Sequence, residues 1–87
     1  MRIHEIGREV VAFPREELGS LLEQTEILRE VSTGIAGHIR ILRSDDRILI
    51  QERNPEGDHF VREIRSEKAA AGFVDARLAA YERMWDG

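Results

Sequence analysis

Three histidines, His4, His38 and His59, are the side chains that most readily suggest metal binding or acid–base chemistry. They have neither His-x-His spacing nor the helical i,i+4 spacing that places two imidazoles on one metal ion. The chain has no cysteine, so thiolate ligands and disulfides are also excluded. His38 and His59 are predicted on opposite faces of a sheet. The sequence therefore predicts no metal site.

The serines and paired carboxylates do not form a catalytic pattern either. None of the serines lies in a Gly-x-Ser-x-Gly sequence, and all fall at predicted caps or turns, where hydroxyls bond to the backbone. Glu16-Glu17 and Asp45-Asp46 fall at a helix start and a turn, where they interact with backbone donors. The glycines of residues 34–37 precede a strand, unlike those of a phosphate loop. We expect no catalysis and no cofactor. The serines are Ser20, Ser32, Ser44 and Ser66.

Composition indicates one small soluble domain. The chain has 87 residues, of which 41% are hydrophobic and 34% charged, whereas domains usually span roughly 50 to 250 residues. Its net charge is -4, and of its 13 basic residues only Lys68 is lysine. No apolar stretch approaches the roughly 20 residues of a membrane span, and the first ten residues lack the apolar core of a secretory signal. We therefore expect a cytoplasmic location.

The first third of the chain predicts a strand followed by a helix. Residues 2–13 alternate apolar and charged side chains, as in a strand. From Pro14 the apolar residues recur at helical spacing, and the helix is expected to end at residues 32–34. Ser20 with Glu23 reads as a capping box, so the helix could instead start there. The apolar residues of this stripe are Leu18, Leu21, Leu22, Leu28 and Val31.

Residues 38–65 predict a three-stranded meander, and Ser66 can cap a final helix. The strands are HIRIL, RILIQER and DHFVREI, joined by a turn at Asp45-Asp46 and a second turn at residues 54–57. The final helix carries an apolar stripe from Ala70 to Trp85. The predicted fold class is α+β and two-layered, in the order strand, helix, three-stranded antiparallel meander, helix. Residues 1–87 form a single domain in this prediction.

Strand alternation divides the meander into two faces when Ser44 pairs with Arg47 and Arg53 with Asp58. One face is purely aliphatic and is the expected contact surface of both helices. The other face mixes apolar side chains with arginines and is expected to be left exposed. The first face holds Ile39, Ile41, Ile48, Ile50 and Val61, and the second holds Leu42, Leu49, Phe60 and Ile64 with His38, Arg40, Gln51, Arg53 and Arg62.

The exposed face predicts an interaction surface, since uncovered apolar patches usually contact a partner. We expect a non-catalytic interaction module, either a homodimer or a complex with a partner protein, because a mixed surface can match itself across a twofold axis. Leu49→Glu is then expected to give a folded monomer. The alternative is that a helix or the arginine stems cover the patch. The predicted interface comprises Leu42, Leu49, Phe60, Ile64, Arg40, Gln51, Arg53 and Arg62.

Nucleic acid is the alternative partner. Arg40, Arg53 and Arg62 around Phe60 would give a stacking surface with phosphate contacts. The order helix, three strands, helix also resembles that of the double-stranded-RNA-binding domain. That family opens its last helix with several lysines, whereas residues 66–69 supply only one. A net charge of -4 disfavours this partner, because binding to phosphates needs clustered cations.

Overall fold

The computed structural model of this chain describes residues 3–34 and 37–86, except the side chains of His4, Trp85 and Asp86. Within these residues, five antiparallel strands form one sheet and are accompanied by two α-helices, which confirms the predicted two-layer α+β class. The predictions for the His4 and Trp85 side chains lie outside the described residues. The elements are β1 (Val11–Phe13), α1 (Leu18–Glu23), β2 (Glu26–Ser32), β3 (His38–Ser44), β4 (Arg47–Arg53), β5 (His59–Ile64) and α2 (Glu67–Asp86).

The N-terminal third differs most from the prediction. The strand predicted over residues 2–13 is much shorter, because only Val11–Phe13 (β1) is a strand and Ile3–Glu5 forms a 3₁₀ turn. The long helix predicted from Pro14 is wrong, because only a 3₁₀ turn at Arg15–Glu17 and the six residues of α1 are helical. The capping box predicted at Ser20 is also wrong, since Ser20 lies inside α1.

The second half of that predicted helix is β2, at one edge of the sheet. A bulge between Ile27 and Arg29 interrupts its pairing with β3. Because a bulge adds one residue to the strand, it breaks the regular alternation of side chains. Leu28 and Val31, three residues apart, consequently pack into the same core cluster. This arrangement explains why a strand carries an apolar spacing that is typical of a helix.

The three-stranded meander is confirmed, but one of its registers differs by one residue. Ser44 pairs with Arg47 as predicted, whereas Arg53 pairs with His59 and not with Asp58. The reason is the turn, where the Asn54 amide donates to the Asp58 carbonyl at 3.0 Å. Gly57 adopts φ 94°, which is the left-handed residue of a three-residue hairpin loop. All β5 side chains therefore point to the face opposite to the predicted one.

Both faces of the sheet carry a core cluster. Helix α2 packs on one face, and the backbone amide of Ala69 donates to Ser66 Oγ at 3.1 Å, as the predicted cap requires. The opposite face is covered by the N-terminal segment and α1, which bring Ile6, Phe13 and Leu21 onto it. The α2 cluster comprises Ile39, Ile41, Ile48, Ile50, Ala70 and Val74, and the N-terminal cluster comprises Ile6, Phe13, Leu21, Leu42, Leu49 and Val61.

Gly37, which precedes β3, is expected to tolerate no side chain. A Cβ added there would overlap with Thr33 Oγ1 and would lie 3.2 Å from the Arg53 carbonyl oxygen. Gly37→Ala should therefore lower the free energy of unfolding by roughly 1 to 3 kcal/mol, measured by urea denaturation. Gly72→Ala in α2, where the new Cβ meets nothing within 4 Å, should raise it by about 0.5 to 1 kcal/mol. Equal stability of both variants would contradict the close approach.

Candidate functional site

The residues of the predicted interface lie on two different faces and are largely covered. Leu42, Leu49 and Gln51 have 0% exposure. The prediction that these residues form an exposed surface is therefore wrong. Arg40 and Arg53 lie on the same face as these three, while Phe60, Arg62 and Ile64 lie on the α2 face because of the register of β5. The predicted stacking surface of Phe60 among three arginines is not assembled either.

The structure instead brings His38 and His59 together on the face of the sheet that the N-terminal segment and α1 cover. Both pair with Arg53, which lies between them on the central strand β4. The one-residue change in the β5 register moves His59 onto this face, and the two ring centroids are 6.3 Å apart. The prediction of opposite faces for the two histidines is thus also wrong.

The buried side chain of Gln51 connects the two histidines in a hydrogen-bond network. Its Oε1 accepts from Arg40 Nη1 at 3.1 Å and lies 3.1 Å from His38 Nε2. Its Nε2 lies 3.1 Å from His59 Nδ1. An arginine can only donate, so the Gln51 atom facing Arg40 is the oxygen, and His38 must carry its proton on Nε2. His59 Nδ1 then accepts from the Gln51 amide, which requires this nitrogen to be unprotonated.

A cleft of about 590 Å³ adjoins this network, between the sheet and the segment that leads into α1. Arg15 from the 3₁₀ turn, Arg40 and Arg53 line it, and Glu56 is the one carboxylate among the described lining residues. Arg40 forms an ion pair with Glu30 on β2, and this contact lowers the pKa of the Glu30 carboxyl. Within residues 3–34 and 37–86, Arg15 and Arg53 have no ion-pair partner. The cleft therefore carries an excess of positive charge.

The histidines of the cleft are held in their neutral forms. Burial, followed by the charge of Arg40, lowers the pKa of His38 below its usual 6.5. Burial also lowers the pKa of His59, and the nearby His38 and Arg53 act in the same direction. Since both rings are neutral at pH 7, the positive potential of the cleft comes from its guanidinium groups. Guanidinium groups are the preferred protein ligands of phosphate and carboxylate.

The described residues that line the cleft include guanidinium groups, which can bind an anion. Among the described residues that line it, there is no serine, threonine, lysine or tyrosine. Across the described side chains, no three histidine, aspartate or glutamate residues are placed to hold a metal ion. Among the described helices, none has the length and apolar composition of a membrane span. Because Arg15 and Arg53 line it without an ion-pair partner among the described residues, we describe the cleft as a candidate anion-binding site.

Sequence reasoning missed Arg15 and His59 as members of this site. Arg15 is expected from the sequence at the start of a long helix, whereas it lies in the 3₁₀ turn that leads directly into the short helix α1, and its side chain lines the cleft. His59 could have been placed by treating Gly57 as the left-handed residue of a three-residue loop. Its pairing would then have been with Arg53, next to His38.

No protein-family model, curated protein or solved structure matches this chain.

Proposed function

We propose that this chain is a cytoplasmic, non-catalytic interaction module that binds a phosphate group in the cleft lined by Arg15, His38, Arg40, Arg53 and His59. The observation that carries the proposal is the placement of Arg15 and Arg53, two guanidinium groups without a carboxylate partner among the described residues, beside the hydrogen-bonded His38, Gln51 and His59. Surface arginines usually lie near acidic side chains or in open solvent. Here they line a common concave site.

Phosphate fits the charge of this cleft better than a single carboxylate does. A phosphate monoester carries close to two negative charges at pH 7 and three terminal oxygens that accept hydrogen bonds. Arg15 and Arg53 can each contact it through a planar fork, as guanidinium groups do at other phosphate sites. Strands β3, β4 and β5 supply four of the five site residues, so strand pairing fixes the backbone positions of these four residues.

The interaction role proposed from the sequence is kept, but its surface is changed. Leu42 and Leu49 are buried within the chain itself, so they do not offer a surface for a homodimer. A partner molecule that carries a phosphate would dock at the cleft instead. Nucleic acid is a less favoured source of that phosphate, because four strands rather than three separate α1 from α2 and the chain has a net charge of -4.

Arg53→Gln is expected to weaken phosphate binding by about tenfold or more, because a hydrogen bond to a charged group contributes roughly 1.5 to 3 kcal/mol. The measurement is an NMR titration of ¹⁵N-labelled protein with inorganic phosphate at low ionic strength, with acetate as the singly charged comparison. Arg65→Gln is the matched control, since it makes the same charge change at an exposed residue outside the cleft. It should bind phosphate as the wild type does.

Two results would contradict the proposal. One is the absence of phosphate-dependent shifts at His38, Arg53 and His59 at low ionic strength. The other is an equal loss in both arginine variants, which would indicate attraction to overall charge. A parallel titration with a single-stranded oligonucleotide separates the sources of phosphate: tight binding that Arg65→Gln also weakens would favour nucleic acid. Native mass spectrometry of the same samples reports whether the chain is a dimer.

A further inference from the structure

A second cavity lies on the opposite face of the sheet, under one side of α2. Its volume is about 290 Å³, close to the lower limit of about 300 Å³ for small-molecule sites. Three aromatic rings and two guanidinium groups from β5 and α2 line it, together with a carboxylate from β4. None of its described lining residues also lines the histidine cleft. These lining residues are Phe60, Phe73, Tyr81, Arg62, Arg77 and Glu52.

The two arginines of this cavity are in different situations. Both guanidinium groups lie against the Phe73 ring, 5.3 Å from its centroid for Arg62 and 5.0 Å for Arg77. Arg77 Nε is 3.3 Å from Glu52 Oε2, which also accepts a hydrogen bond from the Tyr81 hydroxyl at 3.2 Å. The Arg77 charge is therefore compensated within the chain.

Arg62 lacks such compensation. Its Nε is buried and has no hydrogen-bond partner among the described residues, and no described carboxylate forms an ion pair with it. A buried donor without a partner destabilises a folded protein by about 1 to 3 kcal/mol. The positive charge of Arg62 is therefore not compensated by any described carboxylate. A ligand carboxylate can supply this compensation by accepting from the Nη groups of the guanidinium.

We infer that this cavity binds a small aromatic carboxylate, with the ring between Phe60 and Phe73 and the carboxylate on the Arg62 guanidinium. The aromatic lining favours a flat apolar body, and the uncompensated cation favours an anionic end. The volume restricts the ligand to about one ring with a short side chain. This site is independent of the phosphate cleft, so failure of one proposal leaves the other standing.

The test uses phenylacetate as the probe and its neutral analogue 2-phenylethanol as the control ligand. In an NMR titration of the whole chain, phenylacetate should shift the Arg62 Nε–H and Phe73 amide signals, with a dissociation constant in the millimolar range expected for so small a ligand. 2-Phenylethanol should bind about tenfold more weakly or worse, because it cannot pair with Arg62.

Arg62→Gln should weaken phenylacetate binding by about tenfold, and its effect on 2-phenylethanol should be small. Arg65→Gln is the matched control and should leave both ligands unaffected, since Arg65 does not line the cavity. Equal binding of the two ligands to the wild type would overturn the inference. So would the absence of shifts at Arg62, or shifts confined to His38 and Arg53. The wild-type comparison keeps the test decisive even when the Arg62 variant is poorly folded.

Discussion

Leu49→Glu is expected to unfold the domain. Leu49 has 0% exposure and belongs to the cluster that the N-terminal segment and α1 cover. Loss of a buried leucine alone costs about 2 to 5 kcal/mol, and burial of a carboxylate without a partner adds several more. Domains are stable by roughly 0.05 to 0.15 kcal/mol per residue. The sum therefore approaches or exceeds the whole stability of an 87-residue chain.

Circular dichroism and urea denaturation measure this result directly. Ile27→Glu is the matched control, because it places the same side chain at an aliphatic position on β2 that is 47% exposed. It should remain folded, with a change of about 0.5 kcal/mol or less. A folded, monomeric Leu49→Glu protein obtained from a dimeric wild type would instead support the exposed face that the sequence predicted, and would contradict the covered arrangement.

The parts of the fold that the sequence predicts correctly are those with local signals. Ser66 caps α2 as expected, and Asn54 with Gly57 forms the turn between β4 and β5. What local signals could not supply was the loop length of that turn. A loop of three residues rather than four changes the β5 register by one residue, and a change of one residue exchanges the two faces of a strand. The register error explains why Phe60, Arg62 and Ile64 lie on the wrong face in the prediction, whereas the burial of Leu42 and Leu49 results from the cover supplied by the N-terminal segment and α1.

The error over residues 14–33 has a different cause. The apolar residues from Leu18 to Val31 have the spacing of one helix, but they belong to two separate elements, α1 and β2. Leu21 packs under the N-terminal segment, whereas Leu28 and Val31 pack against α2 on the other face of the sheet. The bulge after Ile27 gives β2 an apolar spacing of three residues. Periodicity alone cannot distinguish a bulged strand from a short helix of the same spacing.

The candidate phosphate site could be predicted only in part. His38, Arg40 and Arg53 were correctly placed on one face, since the register of β3 with β4 follows from a two-residue turn. Arg15 and His59 join them through long-range structure, namely the position of the N-terminal segment and the register of β5. Such a site depends on three strands and a turn, and no short motif in the sequence encodes it.

Gln51→Glu is expected to reverse the pH dependence of stability between pH 5 and 8. In the wild type, the pKa values of His38 and His59 lie below 6.5, mainly because of burial. The unfolded chain then binds more protons than the folded one as the pH falls below 6.5. The free energy of unfolding is therefore highest above pH 6.5 and decreases on acidification through this range.

A carboxylate at residue 51 changes this relation because it can only accept hydrogen bonds when ionised. His59 Nδ1, which accepts from the Gln51 amide, would need a proton to face the new oxygen, and His38 would gain a negative neighbour. Both histidine pKa values should then rise above 6.5. The contribution of the two histidines to the free energy of unfolding would then be fully present below pH 6.5. It would be lost as the pH rises through their raised pKa values. Each unit of difference is worth about 1.4 kcal/mol.

The measurement is the urea midpoint at several pH values, together with NMR titration of the His38 and His59 ring protons. Gln51→Leu is the matched control, since it has a similar size and no charge. Its histidines stay buried, so its midpoint should still fall with acidification, from a lower starting stability because Arg40 and both rings lose a partner. A Gln51→Glu midpoint that also falls on acidification would show that the two imidazoles do not share this side chain.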